Sequence, residues 1–218
     1  MRLPKSLDGV LGVFGGTFDP VHHGHLRVAY ELKTRFDFDR VLFIPASEPP
    51  HREPPEASIE LRLKMLEAAL ADEVDCVVDR REIDRAGPSY SIDTARSLRE
   101  QYPDHVICLL LGMDAFLGLP EWHEWDQLLG LVNLVVARRP GSSRPLGGEL
   151  GQLLAERQVL PDGQTNWQVA GQIIIQDVTQ LEIASTDLRN SIRAGIKPKF
   201  LVPDSVWNII KTAGCYAD

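Results

Sequence analysis

Long apolar runs are missing from this chain. No stretch approaches the ~20 residues of a membrane span, and the opening MRLPKSLDG lacks the apolar segment of a secretory signal. Both absences lead us to expect a soluble, cytoplasmic protein. Cysteine is also scarce: Cys76, Cys108 and Cys215 are the three, far apart and without a CxxC, which argues against a disulfide scaffold. Cys108 lies within VICLLLG and reads as a buried free thiol rather than a redox or metal group. Positive charge is in deficit too. A formal net charge of −8 argues against a general nucleic-acid coat, which needs a broad Lys/Arg surface. A small anionic ligand needs only a few local donors and stays open. What is present is ordinary for a globular chain: 44% hydrophobic and 25% charged residues, values at odds with disorder. At 218 residues a folded chain can bury roughly 70% of its unfolded surface, enough for a real core.

The apolar residues that do occur come in short runs: VLGVF (10–14), RVLFIP (40–45), CVVD (76–79), VICLLLG (106–112) and LVNLVVAR (131–138). Several are apolar at successive positions instead of alternating, the pattern of strands covered on both faces. Helical spacing falls between them. Leu26, Ala29, Leu32 and Phe36 share one face; after a Ser58 cap, so do Ile59, Leu63, Leu66 and Leu70; SIDTARSLREQY repeats the design with Ile92, Ala95 and Leu98. The βαβα order predicts an α/β fold, a doubly wound, Rossmann-like parallel sheet with helices on both faces. Residues 1–218 read as a single domain. Residues 141–171 read as a loop and helix insertion, followed by a last strand QIIIQ. A small C-terminal helical part spans 183–218, its final helix opening on an Asp204 cap and stopping at Gly214.

GVFGGTFDPVHHGHLR (12–27) carries the densest chemistry. Gly15-Gly16 follow a strand end, where doubly wound folds bind ligands, and glycines there permit a positive φ and a close backbone approach. Neither GK[ST] nor GxGxxG is present, so any phosphate site is of another kind. His22 and His25 flank Gly24 near a helix start, whose N–H groups and dipole favour an anion. Gly24 leaves the space beside such an anion clear. A metal site is the alternative for three histidines, but HHGH has no further ligand at matching distance and no HExxH geometry. A nucleotide-phosphate site is the reading we adopt, with no protein-held metal. Asp19, in its Asp-Pro turn, is open to two roles, metal ligand or partner of local backbone.

GGTFDPVHHGHL resembles the HxGH signature of the nucleotidyltransferase superfamily. The wider set resembles the bacterial nicotinate-nucleotide adenylyltransferase family: PASEPPHR (45–52), SYSIDT (89–94), GMDAF (112–116), EWHEW (121–125), ARRPG (137–141), IASTDLR (183–189) and LVPDSVW (201–207). The resemblance implies adenylyl transfer from ATP to nicotinate mononucleotide, giving deamido-NAD and pyrophosphate in NAD biosynthesis. It also implies Mg²⁺ accompanying ATP, these two small molecules as partners, and no nucleic-acid polymer or membrane. Nicotinamide mononucleotide or phosphopantetheine as acceptor is the alternative within the chemistry. A nucleotide-sensing or metal-binding module is the alternative outside it.

By the same resemblance His22 and His25 are catalytic and bind ATP together with Gly15, Gly16, Thr17, Phe18, Gly112, Asp114, Ser185, Thr186 and Arg189. Ser185 or Thr186 would cap a helix facing a phosphate, with Arg189 one turn on. Asp114 would accept from ribose hydroxyls. The acceptor falls to His51, Arg52, Thr94, Trp122, His123 and Arg139. Trp122 would stack on the pyridine ring and Thr94 would meet the nicotinate carboxylate. Two positions depart from the family pattern: His123, where Tyr is usual, and Ala184, where Ser is usual.

Overall fold

The computed structural model describes residues 9–48, 54–138, 147–160, 165–179 and 181–217. Its strands are β1 (Val10–Gly16), β2 (Arg40–Pro45), β3 (Cys76–Val78), β4 (Val106–Gly112), β5 (Asn133–Arg138) and β6 (Ile173–Asp177). Helices are α1 (His23–Phe36), α2 (Ile59–Ala69), α3 (Ser91–Gln101), α4 (Met113–Leu117), α5 (Gly148–Arg157), α6 (Ser185–Arg193) and α7 (Asp204–Ala213).

The strands form one sheet in the order β3-β2-β1-β4-β5-β6, with each neighbouring pair parallel. The strand order reverses between β1 and β4. Connections on the two sides diverge there, and the crevice at the carboxyl ends of those strands is where a doubly wound sheet takes its ligand.

The continuous apolar runs have a direct physical cause. Val41, Phe43, Val106, Cys108, Leu110 and Val135 face one core with Leu32, Leu66 and Val206. Their sequence neighbours Leu42, Ile44, Ile107, Leu109, Leu111 and Leu134 face the other with Ile92, Leu98 and Phe116. Alternate side chains point to opposite faces, and both faces are dry. Burial of Cys108 pushes its thiol well up, so it is inert at neutral pH. The C-terminal helices close one face, where the Ser205 hydroxyl of α7 donates to the Ala68 carbonyl of α2 at 3.0 Å.

Three local expectations need correction. Gly15 and Gly16 are extended β1 residues, and the positive φ after the strand falls at Phe18 (φ 51) instead. Helix α6 begins after Ala184, so Ser185 and Thr186 lie inside its first turn and neither is the cap. Helix α7 begins after Pro203, which leaves Asp204 inside the first turn. Its end at Gly214 is as expected, in the left-handed conformation (φ 63).

Candidate active site

β1 delivers the chain to the crevice, and residues 17–22 turn it into α1 through a cis Asp19-Pro20 peptide. His22 is the N-cap of α1 in extended conformation, and the ring of His25 accepts the His22 N–H through Nδ1 at 3.4 Å. The two imidazoles stack, with centroids 3.7 Å apart and planes at 23°. Phe14 and Phe18 meet the His25 ring edge-on at 6.2 and 5.2 Å.

His22 is 5% exposed, and its Nδ1 is buried with no hydrogen-bond partner among the described residues. Burial first, then the neighbouring His23, lowers its pKa from 6.5 to about 4. The ring is therefore neutral at pH 7, with one N–H to donate. An unmet buried nitrogen costs about 1–3 kcal/mol, a cost that a ligand can remove.

The glycines make room for protein before ligand. A Cβ on Gly24 would stand 2.9 Å from His22 Nδ1, and one on Gly16 would stand 3.0 Å from the Phe18 ring. Gly24 thus admits the His22 ring, a correction to its assignment as space for an anion. Gly15 is the open one, since a Cβ there would meet only the Ile44 carbonyl at 4.0 Å. Phe18, expected to touch ATP, is 2% exposed and packs into the core beneath the histidines. The backbone of 17–18 is what can face a nucleotide.

Asp19 joins distant segments rather than local backbone. Its carboxylate accepts the Glu56 and Ala57 N–H groups at 2.8 and 3.2 Å and the Tyr216 hydroxyl at 2.6 Å. Arg189 donates Nη1 to the Asp19 carbonyl at 2.8 Å and Nε to Glu56 at 2.7 Å, and Glu56 also pairs with Arg193. The Ser185 hydroxyl donates to the Pro20 carbonyl at 3.2 Å. Helix α6 is thereby fastened beside the histidines, but much of the Arg189 fork is already committed.

Arg62 was absent from the sequence reading. It is 1% exposed and donates Nη1 to the Thr17 and Ala46 carbonyls at 2.7 and 2.8 Å and Nη2 to the Ser47 carbonyl at 3.4 Å. The signal was available: Arg62 is one position before Leu63 on the buried face of α2, four before Leu66.

On the other side of β1 a narrow cavity of about 30 Å³ is lined by Gly15, Glu82, Ser91, Thr94 and apolar neighbours including Ile44 and Leu109. Thr94 is buried, and its hydroxyl is 2.6 Å from Glu82, so it does not bond its own helix backbone. Glu82, also missed, is 8% exposed. Tyr90, immediately before Ser91, packs its ring against His123 with centroids 4.4 Å apart. Trp122 is half-buried against the core on this face. Gly112 ends β4 and Asp114 sits in the first turn of α4, both exposed. The expected phosphate contacts His51, Arg52 and Arg139 lie outside the described residues.

A parallel sheet with paired imidazoles on the helix after its first strand, at the point of strand reversal, is the arrangement of a nucleotidyltransferase. A cytidylyltransferase-like family profile matches residues 13–191. The probable nicotinate-nucleotide adenylyltransferase of Methylococcus capsulatus is 44% identical over 209 residues, 95% of this chain and 100% of that protein. The protein of that description from Cellvibrio japonicus is 44% identical over 201 residues, 92% and 95% of the two chains. The chain belongs to the cytidylyltransferase-like family and, within it, to the nicotinate-nucleotide adenylyltransferases. The fold is shared with the Plasmodium falciparum nicotinic acid mononucleotide adenylyltransferase complexed with NaAD (TM-score 0.74, 12% identity, 95% of this chain and 97% of that one). Among the described residues no helix is long and apolar enough to cross a membrane.

Proposed function

We propose that the protein, acting over residues 1–218 as one catalytic unit in the cytoplasm, transfers the adenylyl group of ATP to nicotinate mononucleotide. The acceptor phosphate, with a second pKa near 6, is ionised at neutral pH, so attack needs no general base. One of its oxygens bonds the α-phosphorus in line as the bond to the α–β bridging oxygen breaks, and that electron pair leaves with pyrophosphate.

Catalysis then rests on positioning and charge stabilisation. The observation that carries this reading is the stacked His22–His25 pair on the N-terminus of α1, with a buried nitrogen awaiting a partner. Anionic phosphate beside His22 favours its protonated form, turning a neutral ring into a cation where charge accumulates. The first turn of α6, with no side-chain cap, offers N–H groups to a second phosphate. Ser185, Thr186 and Arg189 line that turn, and Arg189 gains a free Nε when Glu56 yields it. Thr17, Gly112 and Asp114 complete the nucleotide side. Thr94, Trp122 and His123 serve the acceptor ring, as His51, Arg52 and Arg139 serve phosphates.

Mg²⁺ fits as a companion of ATP rather than a resident of the protein. No group of three or more metal-ligating side chains occurs among the described residues, and the Asp19 carboxylate is already engaged. The ion prefers phosphate and water oxygens, and when bound it neutralises charge on the β and γ phosphates.

The test is pyrophosphate release from ATP and Mg²⁺ with three acceptors in parallel. Nicotinate mononucleotide is expected to support fast release, its amide counterpart slow release, and phosphopantetheine none. Faster release with the amide would overturn the acceptor assignment.

A further inference from the structure

Glu82 occupies an unusual position for an acidic residue. It is buried beside a small cavity, its carboxylate 2.6 Å from the Thr94 hydroxyl, and it accepts a further bond from Ser89. The Ser89 oxygen in turn accepts the Ser47 N–H at 2.9 Å. Thr94 has a single O–H hydrogen. If that hydrogen points at an ionised Glu82, the threonine shows only lone pairs to the cavity, and a nicotinate carboxylate there would meet acceptor against acceptor.

We infer that Glu82 is a positioning residue that sets acceptor specificity: as the neutral acid it donates its proton to the Thr94 oxygen and so turns the Thr94 hydrogen toward the pyridine carboxylate. The inference rests on the proposed acceptor. It explains why a carboxylate lies behind a hydroxyl meant to greet an anion. Desolvation raises the Glu82 pKa, opposed by the Thr94 and Ser89 hydrogen bonds; of the charged neighbours, Arg85 lowers it and Asp79 raises it. An acceptor carboxylate adds a further negative charge and strengthens protonation. An amide ligand gains less, because its N–H₂ group can donate to the lone pairs that the ionised state leaves exposed.

The test is steady-state kinetics with nicotinate mononucleotide from about pH 5 to 9 for the wild type, E82Q, T94S and T94V. Ionisation of Glu82 should raise the wild-type KM, by up to roughly tenfold per pH unit, with the change falling on KM rather than kcat. E82Q donates an amide N–H to Thr94 at every pH, so its KM should lack that rise. T94S, which keeps the hydroxyl, should retain it, and T94V should lose it. The Thr94 pair carries the test alone if E82Q does not fold. The acceptor phosphate titrates equally in all four, so the comparison between variants isolates Glu82. Overlapping profiles for the wild type and E82Q, or for T94S and T94V, overturn the inference while leaving the function standing. Absence of pyrophosphate release from the wild type overturns the function, and the inference with it.

Discussion

The histidine side of the crevice and the cavity under Thr94 flank the same strand end, yet they are assembled differently. His22, Gly24 and His25 lie within a single turn of one segment, held by stacking and by the backbone of α1. The cavity draws on β1, β2, the 79–90 loop and α3, and its polar pair joins residues 12 apart. The first region leaves a nitrogen without a partner, whereas the second has its hydroxyl already engaged. The contrast teaches that charge stabilisation is prepared locally here, while discrimination between ligands is prepared by tertiary assembly.

Arg62 connects the two sides, since its guanidinium holds Thr17 near the histidines and Ala46 and Ser47 near the Ser89–Glu82 pair. Its replacement should have the largest effect. R62M leaves these buried carbonyls without their donor, and urea denaturation should show a loss of about 3–5 kcal/mol. A loss within 1 kcal/mol, on the order of an ordinary surface substitution, would show that the two sides stand independently.

Next in size is a change confined to the histidine side. H25A should lower turnover by about a hundred- to a thousandfold, the range for loss of one charge-stabilising donor, while the melting curve stays cooperative. Retained turnover in folded H25A would remove the catalytic role assigned to this region.

The smallest expected effect reads the burial of His22 through stability. Its folded pKa of about 4 lies below the ordinary 6.5, so the unfolded chain binds a proton in that interval and the folded chain does not. Stability should therefore fall as pH drops from 6.5 toward 4, by up to about 3 kcal/mol. Glu82, with its raised pKa, opposes part of this loss. Glu31 and Glu56, held below the usual carboxylate value, act only at the acid end. H22N should flatten the wild-type slope in that window, and an unchanged slope would show that His22 does not carry it.

Much of this was legible in the chain. Runs such as VICLLLG disclosed a sheet covered on both faces, because strands between two helix layers lose the polar alternation. The HHGH segment disclosed the imidazole pair because its members are near neighbours in the chain. Ser185 and Thr186 were misjudged as caps because α6 starts one residue earlier, and local pattern rarely sets a helix boundary to the residue. Asp19 was misread because its partners are 37, 38 and 197 positions away. The helical spacing of Arg62 with Leu66 places it on the buried face of α2, whereas Glu82 looks like a surface charge in a linear reading; nothing near either in sequence announces the carbonyls or hydroxyls that receive them.

By itself, the sequence determined the parallel α/β class, the two buried faces and the presence of adjacent imidazoles at a strand end, because hydrophobic periodicity and short-range spacing act within a few residues. Only the tertiary structure decided that His22 is neutral and which buried groups stand behind Thr94. Those outcomes depend on desolvation and on hydrogen bonds between segments far apart in the chain, which no local pattern encodes.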